Sequence, residues 1–322
     1  MLDNILFPLF RPRDEQRPRA RATRSEGVSI RWLGTAGFII ETTSTTLVLD
    51  PFATRPTAAK VALSSLRPDE TAVASLVSGS VDAVVCSHGH YDHLLDAPTL
   101  ARGKRATFVG SAACCAFARA SGVPPANMAC VPAGGGKVAV GDARVELVPS
   151  RHARIWMGKV PFDGDPPDSP RVPARVWDYR AGDVFGVLVE TGGISIYLSA
   201  SADLVDAALA GRRADVVLVG LAGREVTRDY LGRLLMALQP SVVVPCHHDA
   251  FFGPLGQDVR LLPGVDVDGF VAETRMLLPR ATIVTPLYRE PLVVPTAEPR
   301  AAGLLDREPT AGRKKDPERA VG

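Results

Sequence analysis

The sequence predicts a strand-rich α/β fold, and three observations carry that expectation. Short β-rich apolar runs recur from Val28 onward, stretches with apolar residues at helical spacing lie between them, and Gly, Pro or Asp bounds several of the runs. The apolar fraction of 46% against 22% charged residues is enough to bury a large core, which excludes a disordered chain.

Strands are expected at 28–33, 37–41, 46–49, 81–86, 107–110, 137–140 and 144–148, then at 184–190, 194–198, 215–219, 241–244 and 282–284. Helices are expected at 112–120, 202–210, 228–238 and 269–278, where apolar positions recur at 3.6-type spacing. No exact internal repeat is visible, so residues 28–290 read as a single domain. Residues 1–27 read as a flexible basic leader because Arg11, Arg13, Arg17, Arg19, Arg21 and Arg24 crowd together there. Residues 291–322 mix Pro295, Pro299, Pro309 and Pro317 with charges and glycines, the pattern of a disordered tail.

With 37 basic against 35 acidic side chains, the net charge of +2 gives no global field for nucleic acid or an anionic membrane. The partner expected is therefore a small-molecule substrate. The first ten residues are apolar but carry Asp3 and Pro8 and lack a basic start, which argues against a signal peptide, and no run approaches the ~20 apolar residues of a spanning helix. A cytoplasmic protein is expected. The five cysteines, odd in number and irregularly spaced, predict reduced thiols rather than a disulfide framework.

One connection stands apart. Residues 151–183 hold five prolines together with Trp156, Phe162, Trp177 and Tyr179. Long connections are commonly functional or disordered, and large aromatics oppose disorder, so the segment reads either as a cover over the site or as a packed excursion.

The six histidines carry the chemistry. His88, His90 and His93 follow the run 81–86, His152 follows 144–148, and His247 with His248 follows 241–244, so in each case an apolar strand ends and imidazoles begin. Rigid strand ends can aim ligands from distant parts of a chain at one point, and neutral imidazole with carboxylate is the natural donor set for zinc or a similar divalent ion. A lone histidine is usually a satisfied core or surface residue. Four ligand-type residues within six positions, His88, His90, Asp92 and His93, are not that pattern. The i, i+2 spacing of His88 and His90 suits a turn, unlike the i, i+4 of a helical zinc site. Asp92 and His93 point elsewhere in the same turn and invite a second ion. His248 is the weaker member of its pair.

The motif His-x-His-x-Asp-His after a strand resembles the signature of the metallo-β-lactamase superfamily. Trp32 to Phe38, followed by Leu49-Asp50-Pro51-Phe52 and by Pro245-Cys246-His247, is similar to the branch that includes ascorbate-6-phosphate lactonase and N-acyl-phosphatidylethanolamine phospholipase D. The resemblance covers 28 to about 288 and implies a four-layer αββα sandwich with metals at one edge of two sheets. It assigns His88, His90 and His152 to one ion, and Asp92, His93 and His247 to another. The family's bridging aspartate aligns with Ser201, and Asp203 lies two residues later, so Asp203 either reaches the metal or caps the following helix.

The cofactor expected is a divalent metal, Zn2+ first with Mn2+ or Fe2+ as alternatives, in one or two copies. The expected activity is hydrolysis of an ester, lactone or phosphodiester by a metal-bound hydroxide, with Asp92 orienting the water or taking its proton. Arg224 is a candidate for holding an anionic group, against a solvated loop arginine, and Tyr91 for donating to the substrate, against simple packing. The alternatives are an oxygen-activating enzyme with mononuclear iron on the same fold, and a metal-dependent nuclease.

Overall fold

Alternation along each strand sorts side chains between two faces. From Gly27–Gly34, Val28, Ile30 and Trp32 enter one core while Leu33 enters another, and from Thr46–Leu49, Leu47 and Leu49 part from Val48 in the same way. The computed structural model describes residues 7–17, 27–256 and 258–295.

Seven strands form one sheet, in the order Pro291–Pro295, Gly27–Gly34, Gly37–Glu41, Thr46–Leu49, Ala83–Val85, Thr107–Ser111 and Met128–Val131. A second sheet runs Asp203–Leu204, Ala143–Arg151, Phe185–Thr191, Ile194–Ser199, Val216–Gly220, Val242–Cys246 and Thr282–Ile283, and Gly136–Val140 also pairs with Ala143–Arg151. One core lies between the sheets, where Trp32, Phe38 and Val85 meet Val187, Leu198 and Leu218. The other face of the first sheet packs on Ala97–Lys104 and Ala112–Ala120, and that of the second on Tyr230–Leu238 and Val267–Leu277. Helix, sheet, sheet, helix is the αββα sandwich that the resemblance implies.

Parallel pairing places the chemistry. Thr46–Leu49 is parallel to Ala83–Val85, and Val216–Gly220 to Val242–Cys246. Strand ends that point the same way deliver Asp50, Ser87-His88 and His247 to one edge of the sandwich. A hydrogen bond from Phe185 N to Ser87 O, 3.0 Å, ties the two sheets together beside that edge.

The structure corrects five expectations. Pro291–Pro295 is an edge strand paired antiparallel with Gly27–Gly34, so the ordered domain runs past residue 290. The prolines at its ends lie on an edge, where a missing N–H costs little; the rest of the expected tail, 296–322, lies outside the described residues. Part of the basic leader is bound to the domain: Leu9–Phe10 pairs with Val259–Arg260, Arg13 meets Asp268 at 3.3 Å, and Glu15 meets Arg275 at 2.8 Å. Arg19, Arg21 and Arg24 lie outside the described residues. The helix expected at 202–210 is a two-residue strand, Asp203–Leu204, followed by the short helix Asp206–Leu209, because edge pairing with Ser150 and Arg151 overrides the alanine-rich helical propensity. The strand Met128–Val131 and the helix Ala97–Lys104 are additions. Finally, Cys115 and Cys130 form a disulfide between Ala112–Ala120 and Met128–Val131, so two of the thiols expected to be reduced are not. Cys86, Cys114 and Cys246 are free and buried. Among the described residues, no helix is long and apolar enough to cross a membrane.

Candidate metal centre

The turn after Ala83–Val85 brings His88 and His90 to one side and starts the short helix Tyr91–Leu94 with Asp92 and His93. Gly89 makes the turn possible. Its N–H donates to Ala181 O at 2.9 Å, and a Cβ there would sit 2.1 Å from Arg180 O. Only glycine lets segment 151–183 approach this closely.

Six side chains converge as two trios. The ligating atoms of His88, His90 and His152 lie within 4.8 Å of one another, and so do those of Asp92, His93 and His247. The trios adjoin, with the rings of His88 and His93 4.0 Å apart between centroids. All six assigned by the resemblance are therefore brought together.

Hydrogen bonds fix which nitrogen each imidazole leaves open. His90 Nε2 faces Pro161 O at 2.8 Å and His152 Nδ1 faces Ala153 O at 2.7 Å; a carbonyl only accepts, so those nitrogens carry protons. Ser87 Oγ donates to Asp50 Oδ2 at 2.5 Å and therefore accepts from His88 Nδ1 at 3.0 Å. The lone pairs of His88 Nε2 and His90 Nδ1 are left facing each other across 3.1 Å. A proton between them is disfavoured, since burial, with the neighbouring imidazoles adding to it, holds His88 well below its usual value and His90 down to about 3. His152 is lowered to about 4, again chiefly by burial. Two opposed lone pairs that cannot share a proton need a cation, and this is the test by which the residues fit a divalent metal.

The second trio is organised differently. Asp92 Oδ2 lies 3.4 Å from His93 Nε2 and 3.2 Å from His247 Nε2. Burial alone would raise the Asp92 carboxyl, but His93 and His247 outweigh it and hold the group well below the carboxylate range. Burial likewise opposes charge on His93, and the carboxylates of Asp92 and Asp50 override it, raising the ring to about 10.

Sequence reasoning quoted Asp50 within a motif but gave it no role. Fully buried, it accepts from His93 Nδ1 at 2.8 Å, from Ser87 N at 2.7 Å and from the Ser87 hydroxyl, so one carboxylate orients His93 directly and His88 through Ser87. The motif around Thr35 also finds its use. Thr35 O accepts from His247 N at 2.7 Å, and Thr35 N donates to Asp249 Oδ1 at 2.8 Å. Asp249 is paired in turn with buried Arg55 at 2.7 Å and accepts from Tyr288 Oη at 2.9 Å. This network holds His247 in a left-handed conformation, φ 52°, that a non-glycine residue adopts only under constraint.

Asp203 is corrected in both of its expected roles. Its carboxylate accepts from Leu204 N at 2.8 Å and pairs with Arg233 at 3.5 Å, it belongs to neither trio, and the next helix has no side-chain cap. The turn that carries Asp203 N to Ser201 O, 2.8 Å, leaves Ser201 facing the site and sends Asp203 to the outer edge beside Arg151. Arg224 is also corrected as an anion holder, being bound to Glu273 at 2.7 Å and Glu225 at 2.9 Å. His248 stays outside, stacked on Trp32 at 4.7 Å. Tyr91 lines the site and packs edge-on against Phe52, with its phenol kept protonated by burial.

Four members of the trios, His90, His152, Asp92 and His247, form the floor of a cavity of 430 Å³. Ile155, Pro161, Phe162 and Val176 from segment 151–183 form part of its wall, while Trp156 leans on Phe162 from outside at 6.0 Å. The segment is thus both packed and a cover.

Comparison with known proteins agrees with this geometry. Residues 29–247 match the family described as the beta-lactamase superfamily domain. A UPF0173 metal-dependent hydrolase of Heliobacterium modesticaldum is 27% identical over 264 residues, covering 79% of this chain and 96% of the relative. Among solved structures, a possible metal-dependent hydrolase from Veillonella parvula has a TM-score of 0.54 at 15% identity, covering 84% of this chain and all of that one (100%). CmlA, a diiron β-hydroxylase from Streptomyces venezuelae, has a TM-score of 0.51 at 15% identity, covering 84% of this chain and 54% of that one. These structural likenesses show a shared fold. With the family match over most of the domain and two ligand trios at the sheet edge, the chain belongs to the metallo-β-lactamase superfamily and is a metal-dependent hydrolase.

Proposed function

We propose that the protein hydrolyses a small ester-type substrate, an ester, lactone or phosphodiester, at a zinc centre with one tightly held ion. The observation that carries this is the opposed pair His88 Nε2 and His90 Nδ1, 3.1 Å apart, of which His90 lines a cavity. A bound divalent cation supplies a nucleophile at neutral pH by lowering the pKa of water to about 7. His88, His90 and His152 would hold that ion. Asp92, His93 and His247 form a weaker adjoining site, because Ser201 offers no negative charge to screen a second cation.

The remaining roles belong to this chain's own groups. Asp92 lines the cavity and is held ionised, so it accepts a hydrogen bond from the attacking water and orients it. The same carboxylate is also placed to take the proton of that water. Tyr91, protonated and at the same wall, offers its hydroxyl to the substrate oxygen that gains charge. Segment 151–183 restricts water and, through Pro161 O, fixes the His90 ring.

The test is turnover of 4-nitrophenyl acetate, a small lactone and bis(4-nitrophenyl) phosphate by zinc-loaded, chelated and His90→Ala protein. At least one substrate should turn over only in the zinc-loaded wild type. Turnover that survives both chelation and His90→Ala would overturn the reading.

A further inference from the structure

The wall of the cavity narrows the substrate. Beside the trios its lining is largely apolar, with Val61 and Ala62, Ile155 and Phe162 from the covering segment, and Phe251 with Phe252. The aromatic wall is continuous with the metal floor, since Phe251 packs edge-on against His247 at 5.5 Å and at a tilt against Phe252 at 4.8 Å. None of the described residues lining the cavity is Lys or Arg, and Asp92 is the one carboxylate among them. Nearby, Arg224 is bound to Glu273 and Arg55 to Asp249.

Against this wall an anion loses hydration and has only the metal held at the floor for a partner, whereas an apolar chain gains from every methylene it buries. A volume of 430 Å³ falls in the range of sites for small molecules. We propose that the cavity takes an uncharged carboxylic ester or lactone with an apolar chain or ring of moderate size, and discriminates against phosphate-bearing substrates. This rests on the hydrolytic reading above. In the reaction, a water oxygen bonds to the acyl carbon, the acyl carbon to alkoxy oxygen bond breaks, and the water proton ends on the leaving alkoxide, giving an acid and an alcohol. The reacting carbonyl lies over the trios and the apolar group lies toward Phe251, Phe252 and Val61.

The experiment has a turnover arm and a binding arm, both on zinc-loaded protein. In the first, kcat/KM for 4-nitrophenyl acetate, butyrate and hexanoate should rise roughly two- to fourfold per added methylene, and all three should exceed bis(4-nitrophenyl) phosphate. Val61→Arg, on the short helix Ala58–Leu63 at the wall, should lower the hexanoate-to-acetate ratio about tenfold by setting a charge where the chain lies. In the second arm, the neutral fluorophore N-phenyl-1-naphthylamine reports on the cavity, and hexanamide should displace it more strongly than hexyl phosphate. A flat ester series, faster turnover of the phosphodiester, or stronger displacement by hexyl phosphate would overturn the proposal. Absence of turnover for every substrate, with displacement by hexanamide preserved, would instead sink the hydrolytic reading and support the neutral apolar ligand.

Discussion

Asp50→Asn isolates the one carboxylate that serves both trios. The replacement keeps the shape and removes the charge, so no cavity opens. In the wild type, Oδ1 accepts from Ser87 N at 2.7 Å, while Oδ2 accepts from His93 Nδ1 at 2.8 Å and from the Ser87 hydroxyl. An amide offers one oxygen and one NH2. If its oxygen takes the Oδ2 place, the NH2 opposes Ser87 N–H; in the reverse orientation it opposes two donors. At least one buried donor is left unmet, at about 1–3 kcal/mol, and the surviving bonds lose their charge assistance. The metal-free protein should lose roughly 2–4 kcal/mol in urea denaturation. Zinc affinity, measured by competition with a chromophoric chelator, should fall about 10- to 100-fold because His93 and His88 lose their orientation. Ser87→Ala cuts only the link to His88 and should have a smaller effect on affinity. Zinc affinity of Asp50→Asn within threefold of wild type, with unchanged stability, would refute the positioning argument.

Other perturbations test separate links. Asp203→Ala should leave metal content unchanged and cost about 0.5–1 kcal/mol, since it removes one partly exposed partner of Arg233 and leaves Asp206 at 2.6 Å; loss of metal would return Asp203 to the site. Stability of the chelated protein should peak near neutrality. Folded pKa values of about 3 for His90 and about 4 for His152 and His248, below the ordinary 6.5, mean that stability rises as pH climbs through that window. His93 at about 10 contributes stability present below 6.5 and lost as pH rises toward 10. A profile by urea denaturation without a maximum between these windows would contradict the protonation states described. Replacing Cys115 by Ser opens a loop with a sequence separation of 15 and should cost about 3 kcal/mol under non-reducing conditions; equal stability, with no cross-linked peptide in an unreduced digest, would remove the disulfide.

Legibility in the sequence followed the strength of local patterning. Gly37–Glu41, Thr46–Leu49 and Ala112–Ala120 coincide with their expected bounds, because each couples clean apolar periodicity to a defined stop. Met128–Val131 was not legible, since it is an edge strand with little burial. The residues of the two trios were legible as a cluster because metal chemistry restricts residue type and the strand ends fix position. What supports them was less so. Asp50 stands far from His93 in sequence, and nothing in the spacing says that a carboxylate after one strand reaches the imidazole after another. Its place in the Leu49-Asp50-Pro51-Phe52 motif was the available signal. Asp203 shows the opposite limit. Two residues from Ser201, it looked able to reach the metal, but the direction of a tight turn is set by edge pairing with Arg151 and by Arg233, which spacing does not reveal. Arg224 failed for the same kind of reason, since its partner Glu273 comes from a distant helix.

Metal stoichiometry tests the central claim most directly. Wild type and His88→Ala, loaded with zinc and dialysed to remove loosely held ions, should be compared by elemental analysis. The arrangement of His88, His90 and His152 predicts about one tightly held ion per chain in the wild type and nearly none in His88→Ala, whose loss leaves His90 and His152 without a third ligand. Full occupancy in His88→Ala, or a wild type that retains no ion, would contradict it.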